Sequence, residues 1–293
     1  MDEKDWHILI TLHEERNITK AAQRLFISQP ALTYRIKQLE KEFKTNLISR
    51  GKRGIEFTVK GEYLVQYSRD MSNQLRDAKE HISNLDEKVK GTLRLGVSGL
   101  FARYKLPVLL KEFLTLYPDV EISLKTGWSS EIHQMLKKEE AHLGIVRGPY
   151  KWQENKVLFQ EEKICIASSK KIELKDLPFL PRVNYQTDQS LKLTIENWWQ
   201  ETFTVPPKVS MEVDRIETCK EMVLNGLGYA ILPEICIKND EPLYTFPVVL
   251  SDNSYLLRET WIFYRDVTMD LAQVKAFIDF LNDSKQRKQD ETK

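Results

Sequence analysis

The stretch Asn17-Ile18-Thr19-Lys20-Ala21-Ala22-Gln23-Arg24-Leu25-Phe26-Ile27-Ser28-Gln29-Pro30-Ala31-Leu32-Thr33-Tyr34-Arg35-Ile36-Lys37-Gln38-Leu39-Glu40 decides how the first part of the chain folds. Thr19 can cap a short helix whose Ala21, Ala22 and Leu25 turn inward, the two alanines being small enough for another helix to cross closely. Phe26 and Ile27 then make a tight turn. Ser28 is a good N-cap, and Pro30 sits in the first turn of the next helix, where its missing N–H is not needed. Leu32, Ile36, Leu39 and Phe43 recur at spacings of 4, 3 and 4, the pattern of one buried helical stripe. At 100° per residue, Pro30, Thr33, Tyr34, Lys37 and Lys41 fall on the opposite face. A short helix, a tight turn and a second helix with polar and basic residues facing out is helix-turn-helix geometry, the second helix being the one that enters a major groove. An ordinary three-helix bundle with a charged exterior is the alternative.

Working outward, residues 5 to 15 carry Trp6, Ile8, Leu9 and Leu12 in a helical pattern. Downstream, Ser49-Arg50-Gly51-Lys52-Arg53-Gly54 followed by Ile55-Glu56-Phe57-Thr58 reads as a β-hairpin with a glycine turn, a basic wing suited to phosphate contact. Charge separates this head from the rest. Between Arg16 and Lys60 eleven Lys or Arg face three acids, an excess of eight positive charges in a chain whose net charge is only +1. A compact basic head on a mildly acidic body is the footprint of a nucleic-acid-binding domain attached to something else.

The chain has 293 residues, 41% hydrophobic and 30% charged, enough for roughly two domains without disulfide or metal staples. No apolar run approaches the roughly 18 to 20 residues of a membrane span, and the acidic, polar start lacks the pattern of a secretory signal, so a cytoplasmic protein is expected. Cys165, Cys219 and Cys236 have no metal-binding spacing and are expected to be reduced, buried thiols.

From Leu64 onward, Leu64, Met71, Ala78 and Leu85 alternate with Ser68, Leu75, Ile82 and Val89 at spacings of 4 and 3, seven of the eight being apolar. So regular a seam predicts a long helix, from about residue 59 to 88, that pairs with the same helix of a second subunit. The alternative is that the stripe packs on its own body. Thr58 can cap the helix start and Gly91 can end the connection beyond it.

The body reads as alternating strands and helices. Leu93, Leu95 and Val97 mark a strand; Leu106, Leu109, Leu110, Phe113 and Tyr117 a helix; Val120, Ile122 and Leu124 a strand; Ile132 to Lys138 a helix; His142 to Val146 a strand. A second unit follows after about residue 160, with strands at Ile164 to Ala167 and Val183 to Tyr185 and a helix around Ile195 to Phe203. A strand at Val209, Met211 and Val213 leads to a helix that Asp214 and Glu217 would cap, and Gly226 stops it. Next come a strand from Tyr229 to Leu232, a last strand from Glu259 to Tyr264, and a closing helix from Val267 to Leu281. Two lobes joined by crossings near 160 and 264 leave a cleft between them, as in periplasmic binding proteins, with ligand sites at the carboxyl ends of the strands. Ser98, Gly99, Ser129 and Ser130 fall at such ends, next to helix N-termini, which favour anions. Arg147 and Arg258 offer planar donors for carboxylates, unless each merely pairs with a nearby acid, and Gln186 and Thr187 can contribute from the second lobe.

The quoted head segment, continued through Phe57-Thr58-Val59-Lys60-Gly61, closely resembles the winged helix-turn-helix of LysR-type transcriptional regulators. Tyr34 departs from the basic or amide residue that many members carry. Gly226-Leu-Gly-Tyr-Ala-Ile-Leu-Pro233 resembles the entry to a strand in that family's effector domain. Thr126-Gly-Trp-Ser-Ser-Glu131, Gly144-Ile-Val-Arg-Gly148, Asp214 to Lys220 and Arg258-Glu-Thr-Trp261 look like the citrate-responsive branch that contains catabolite control protein C.

The resemblance implies an all-α winged helix-turn-helix domain (residues 1–58), a linker helix (59–90) and a two-lobed α/β periplasmic-binding-protein-like effector domain (91–285). Lobe I would hold about 91–160 and 264–285, lobe II about 161–263, with a polar tail at 286–293. It implies a homodimer or homotetramer whose partners are promoter DNA and a small carboxylate, citrate first, with no cofactor. DNA contacts are expected from Ser28, Gln29, Pro30, Thr33, Tyr34, Lys37, Arg50, Lys52 and Arg53. Effector contacts are expected from Ser98, Gly99, Ser129, Ser130, Arg147, Gln186, Thr187 and Arg258, and a dimer seam from Leu64, Met71, Leu75, Ala78, Ile82 and Leu85. The five histidines are scattered, and no nucleophile elbow, phosphate loop or dinucleotide fingerprint occurs, so neither catalysis nor a metal site is expected.

Overall fold

The structure is a computed structural model that describes residues 1–51, 54–83, 88–237 and 242–290. It divides into two compact units, Met1–Leu85 and Asp86–Lys293.

In the first unit, helix α1 (Glu3–Glu15) starts at Asp2, whose carboxylate accepts from the Asp5 amide while Asp5 accepts from the Asp2 amide. Helix α2 (Ile18–Arg24) is capped by Asn17 and not by Thr19, because the Asn17 carbonyl oxygen reaches the Lys20 amide at 3.0 Å one turn ahead. Helix α3 (Gln29–Glu42) begins at Ser28, whose hydroxyl accepts from the Ala31 amide. Leu32, Ile36 and Leu39 are buried, but Phe43 is 39% exposed: the helix has ended at Glu42, and Phe43 turns out of the stripe predicted for it. Leu12, Ala21, Ala22, Leu32, Ile36 and Ile55 form one core, so all three helices and the hairpin share it. Strands β1 (Ile48–Gly51) and β2 (Gly54–Phe57) pair antiparallel from Ile48 opposite Phe57 to Gly51 opposite Gly54.

Helix α4 (Val59–Ser83) starts where Thr58 accepts from the Gly61 amide at 3.0 Å. Gly61 lies so near the Leu47 carbonyl that a Cβ would collide with it. The first half of the heptad seam has a different use from the one its spacing suggests. Leu64 is buried with Leu9, Leu39, Leu47 and Val65 in the head's own second core, and Ser68 is buried one turn on, bonded to the Leu64 carbonyl. Met71 and Leu75 are half-buried, whereas Ala78 and Ile82 are exposed, Ile82 by 68%. Leu85 lies outside the described residues, and Val89 packs on the core of the second unit.

The second unit is built on one continuous sheet in the order β4-β3-β5-β11-β6-β9-β7-β8, with β10 paired on β6. The strands are β3 (Gly91–Ser98), β4 (Val120–Gly127), β5 (Leu143–Arg147), β6 (Asn155–Ser168), β7 (Arg182–Tyr185), β8 (Val209–Val213), β9 (Tyr229–Pro233), β10 (Tyr244–Pro247) and β11 (Leu257–Tyr264). The helices are α5 (Gly99–Tyr104), α6 (Leu106–Leu116), α7 (Ser129–Lys137), α8 (Gln189–Thr202), α9 (Ile216–Leu224) and α10 (Ala272–Asp290). Strand β3 is parallel to β4 and β5, and β7 is parallel to β8 and β9, so each lobe is an α/β layer with a parallel set.

Strand β6 is fourteen residues long, because its first half pairs with β11 while its second half pairs with β9 and β10. The return crossing comes earlier than expected near 264. Thr260 to Tyr264 are already paired with β5, so the chain changes lobe around Leu257–Glu259. Two further differences have local causes. The α9 capping box does not form, since Arg215 is the N-cap without a side-chain bond and Glu217 pairs with Arg103 at 3.3 Å. The segment read as a polar tail from 286 is still helix to Asp290, because Ser284 is buried and Lys285 donates to the Leu158 carbonyl at 2.6 Å. Among the described residues no helix is long and apolar enough to cross a membrane.

Candidate functional site

On the head, Ser28, Gln29 and Pro30 at the start of α3 are exposed, as are Tyr34, by 65%, and Lys37, while Thr33 is half-buried. Pro30, Thr33, Tyr34 and Lys37 share the face of α3 turned from the core, and Ser28 and Gln29 are exposed at its start. Only the backbone of Arg50 is described, and Lys52 and Arg53 lie outside the described residues. One feature was missed. Phe26 is 96% exposed, with φ of 56° in the left-handed region, so the turn presents an aromatic ring beside the start of α3. Its place in a two-residue turn was the signal available, because neither turn residue can be drawn into the stripe of either helix.

In the body, the carboxyl ends of β3, β4, β5 and β7 open on a cavity of about 890 Å³. Ser98, Gly99, Ser129, Arg147, Gln186 and Thr187 line it. Ser130 and Arg258 do not. Ser130 is exposed and bonds the Tyr150 side chain. Arg258 is turned into the crossing, where it pairs with Asp188 and donates to Ser190 Oγ at 2.9 Å and to the Arg147 carbonyl at 3.0 Å. The expected two-arginine clamp is therefore reduced to one cavity arginine, since a guanidinium with three acceptors around it has its charge met. Gly148 makes room for this arrangement: its φ is 102°, and a Cβ there would come within 2.9 Å of both Arg258 Nη1 and Ser190 Oγ.

Arg147 is buried and paired with Glu162, whose second oxygen accepts from the Ile235 amide at 2.7 Å. The Arg147 Nε has no hydrogen-bond partner among the described residues. Burial, with the nearby Arg258 charge, lowers the Arg147 pKa to about 10. Ser129 Oγ accepts from the Arg147 amide at 3.0 Å, which fixes the end of β5 against the start of α7. Ser98 is the open donor: its hydroxyl is buried at the end of β3 and has no hydrogen-bond partner among the described residues. Thr126, Tyr185 and Thr218 also line the cavity and were not anticipated. Thr126 and Tyr185 lie just before the positions read from the ends of β4 and β7, and Thr218 lies in the first turn of α9. The remaining charges are largely matched, with Arg103 on Glu217, Arg215 on Asp214 at 3.8 Å, and Glu131 accepting from the Trp128 amide at 2.7 Å.

A basic, outward-facing helix-turn-helix and a two-lobed body with a cleft at its strand ends are matched by two family models. Residues 4–62 match the bacterial regulatory helix-turn-helix protein, lysR family, and residues 86–286 match the LysR substrate binding domain. The chain belongs to the LysR family of transcriptional regulators. As a family member it is a DNA-binding regulator with a substrate-binding domain, and not an enzyme.

This LysR regulator is 49% identical to the HTH-type transcriptional regulator YraN of Bacillus subtilis (strain 168) over 281 residues, 96% of this chain and 97% of that protein. It is 34% identical to YkuM of the same organism, over 97% of each chain. Its fold is similar to that of full-length CbnR complexed with its target DNA, with TM-score 0.70 at 19% identity over 97% of this chain and 100% of that one. A full-length OxyR variant from Pseudomonas aeruginosa is similar in fold as well, with TM-score 0.64 at 17% identity over 96% and 94%.

Proposed function

We propose that this LysR regulator is a cytoplasmic homo-oligomer that senses a small carboxylate, citrate first, in the cleft between its lobes, and that closure on the ligand changes its hold on promoter DNA. The observation that carries the effector class is the Ser98 hydroxyl, buried in the cavity wall without a partner. A buried hydroxyl left unbonded costs about 1 to 3 kcal/mol, which a ligand oxygen recovers on binding. Around it α7 and α9 begin at the cavity, with no side-chain bond on the α9 amides, and helix starts carry partial positive charge. Arg147, its charge shared with Glu162, lines the cavity and has an unbonded Nε to offer. The likeness of the Trp128 to Glu131 and Gly144 to Gly148 segments to the citrate-responsive branch supports citrate among carboxylates. The cavity volume favours a second reading, a larger anionic metabolite, because about 890 Å³ lies near the top of the roughly 300 to 1,000 Å³ of small-molecule sites.

On the head, Thr33, Tyr34 and Lys37 read bases, Ser28, Gln29 and Pro30 seat the helix on the backbone, and Arg50, Lys52 and Arg53 meet phosphates. Met71, Leu75, Ala78, Ile82 and Leu85 pair the subunits. Effector and DNA are then linked by a coupling free energy, typically about 1 to 3 kcal/mol.

Calorimetry with citrate, and then with other di- and tricarboxylates, on wild type and Ser98→Ala tests the effector. The expected result is binding by wild type that weakens roughly tenfold or more in the variant, as loss of a hydrogen bond to a charged group predicts. Equal affinity in both would remove Ser98 from the site, and no heat with any carboxylate would overturn the class.

A further inference from the structure

A second cavity, of about 710 Å³, lies in lobe II between β7, β8 and α8, adjoining the effector cleft. Its charged lining consists of Arg182, Lys192, Glu196, Glu212 and Asp214. Three of these are already matched. Lys192 lies 3.9 Å from Glu196, one helical turn on, and Asp214 lies 3.8 Å from Arg215.

Arg182 and Glu212 are left over. Arg182, at the start of β7, stacks its guanidinium over the Trp199 ring at 5.6 Å, and its Nε is buried with no hydrogen-bond partner. No carboxylate among the described residues forms an ion pair with it, and burial lowers its pKa. Glu212 stands on the neighbouring strand, directly opposite Asn184 in the parallel register, and no cation among the described residues pairs with it. Arg182 and Asn184 are two residues apart on β7, beside a register shift against β8 between Arg182 and Val183, and Asn184 is the pairing partner of the exposed Glu212, so Asn184 lies next to both charged residues of the lining.

We infer that this cavity binds a free α-amino acid, its carboxylate on Arg182 and its ammonium on Glu212, with the Asn184 amide between them. A simple anion would gain Arg182 but meet Glu212 as a like charge, and a simple amine would have the converse problem. A zwitterion satisfies both. The planar guanidinium matches a carboxylate through paired N–H donors, and the ammonium has three donors for the Glu212 carboxylate and the Asn184 carbonyl oxygen. Ile195 and Ile231 also line the cavity, so an apolar side chain fits better than a charged one.

The test uses the full chain and thermal shift followed by calorimetry, with glycine, L-serine, L-leucine, L-glutamate and L-lysine as probes. Each probe is matched by its N-acetyl derivative, which lacks the ammonium, and its methyl ester, which lacks the carboxylate. At least one free amino acid, L-leucine before L-glutamate or L-lysine, is expected to bind, and both of its derivatives to lose at least tenfold in affinity. Glu212→Gln, an exposed substitution that leaves the core untouched, is expected to weaken the free amino acid tenfold or more, and Arg182→Gln likewise. Ser98→Ala is expected to leave the amino-acid response unchanged, which separates this site from the cleft. An N-acetyl derivative binding as well as its parent would overturn the zwitterion assignment. So would undiminished binding in Glu212→Gln, or no response to any amino acid.

Discussion

Arg35 on α3 reaches Asp5 on α1, donating from Nε and Nη2 to the two carboxylate oxygens at 2.5 and 2.6 Å. Asp5 is fully buried whereas the Arg35 side chain is 41% exposed, so the two halves of the pair are not equivalent. The bond ties α3 to α1 beside the buried stripe Leu32, Ile36 and Leu39, which leaves Tyr34 and Lys37 on the outer face.

Removing the two partners should therefore give unequal losses. Arg35→Ala strands a buried carboxylate and is expected to cost about 3 to 5 kcal/mol, the range for breaking a buried pair. Asp5→Ala frees a guanidinium that can reach water and removes the acceptor of the Asp2 amide, so it is expected to cost less, about 1 to 2 kcal/mol. Denaturant titration of both variants measures the difference; equal losses would mean that Asp5 is hydrated after all.

The same pair makes the head sensitive to acid. Burial opposes ionisation of Asp5, but the Arg35 hydrogen bonds and the Asp2 amide outweigh it and hold the carboxyl below its ordinary 3.8. A depressed native pKa means stability that is fully present above the unfolded value and lost as pH falls through the folded one. Head unfolding followed between pH 5 and 2 should show a loss that Asp5→Asn largely removes.

The heptad seam offers a sharper separation than its regularity implied. Leu64→Asp should unfold the head, because Leu64 is 7% exposed in its core and a buried charge costs several kcal/mol. Ile82→Asp should leave the head folded, since Ile82 is 68% exposed, and should lower the oligomeric state seen in sedimentation. An Ile82→Asp protein with the wild-type assembly would take this end of α4 out of the interface.

Arg147→Ala is expected to destabilise the body by about 3 to 5 kcal/mol, since Glu162 remains buried beside the Ile235 amide. Arg147→Met with Glu162→Gln should recover most of that loss while effector binding stays weak. The double variant thus separates folding from recognition, and thermal melts beside calorimetry give both readings.

Cys165, Cys219 and Cys236 should be inert in the native protein. Burial pushes their thiols up to about 11, 12 and 12, so at neutral pH the thiolate fraction is about one in ten thousand or less. A thiol reagent should label none of the three until denaturant is added.

Much of this was legible because short-range rules govern it. The Ser28 cap, the Leu32, Ile36 and Leu39 stripe and the alternation of strands and helices all depend on neighbours within a few residues. What was not legible depends on partners far along the chain. Leu64 belongs to the head because Leu9 and Leu47 meet it there, and Arg258 is withdrawn from the cavity because Asp188, seventy positions away, caps α8 at the same spot. Asn17 displaced Thr19 for a smaller reason: either side chain can cap, and the choice turned on where α1 released the chain, at the left-handed Arg16. The cavity was found from strand ends, but its lining was incomplete because residues within the strands, Thr126 and Tyr185, and one on α9, Thr218, also face it.

The fourteen residues of β6, hydrogen-bonded along one half to β11 and along the other to β9 and β10, make the passage between lobes part of the sheet itself. Two strands joined in this way do not swing as a loop does; they resist rotation elastically, as a twisted ribbon does. If the cleft closes as proposed, closure would wind that ribbon, and the work of winding would come from the ligand. On that proposal the stored torsion would reopen the lobes when the ligand leaves, and the stiffness of two backbone strands would set how quickly the switch resets.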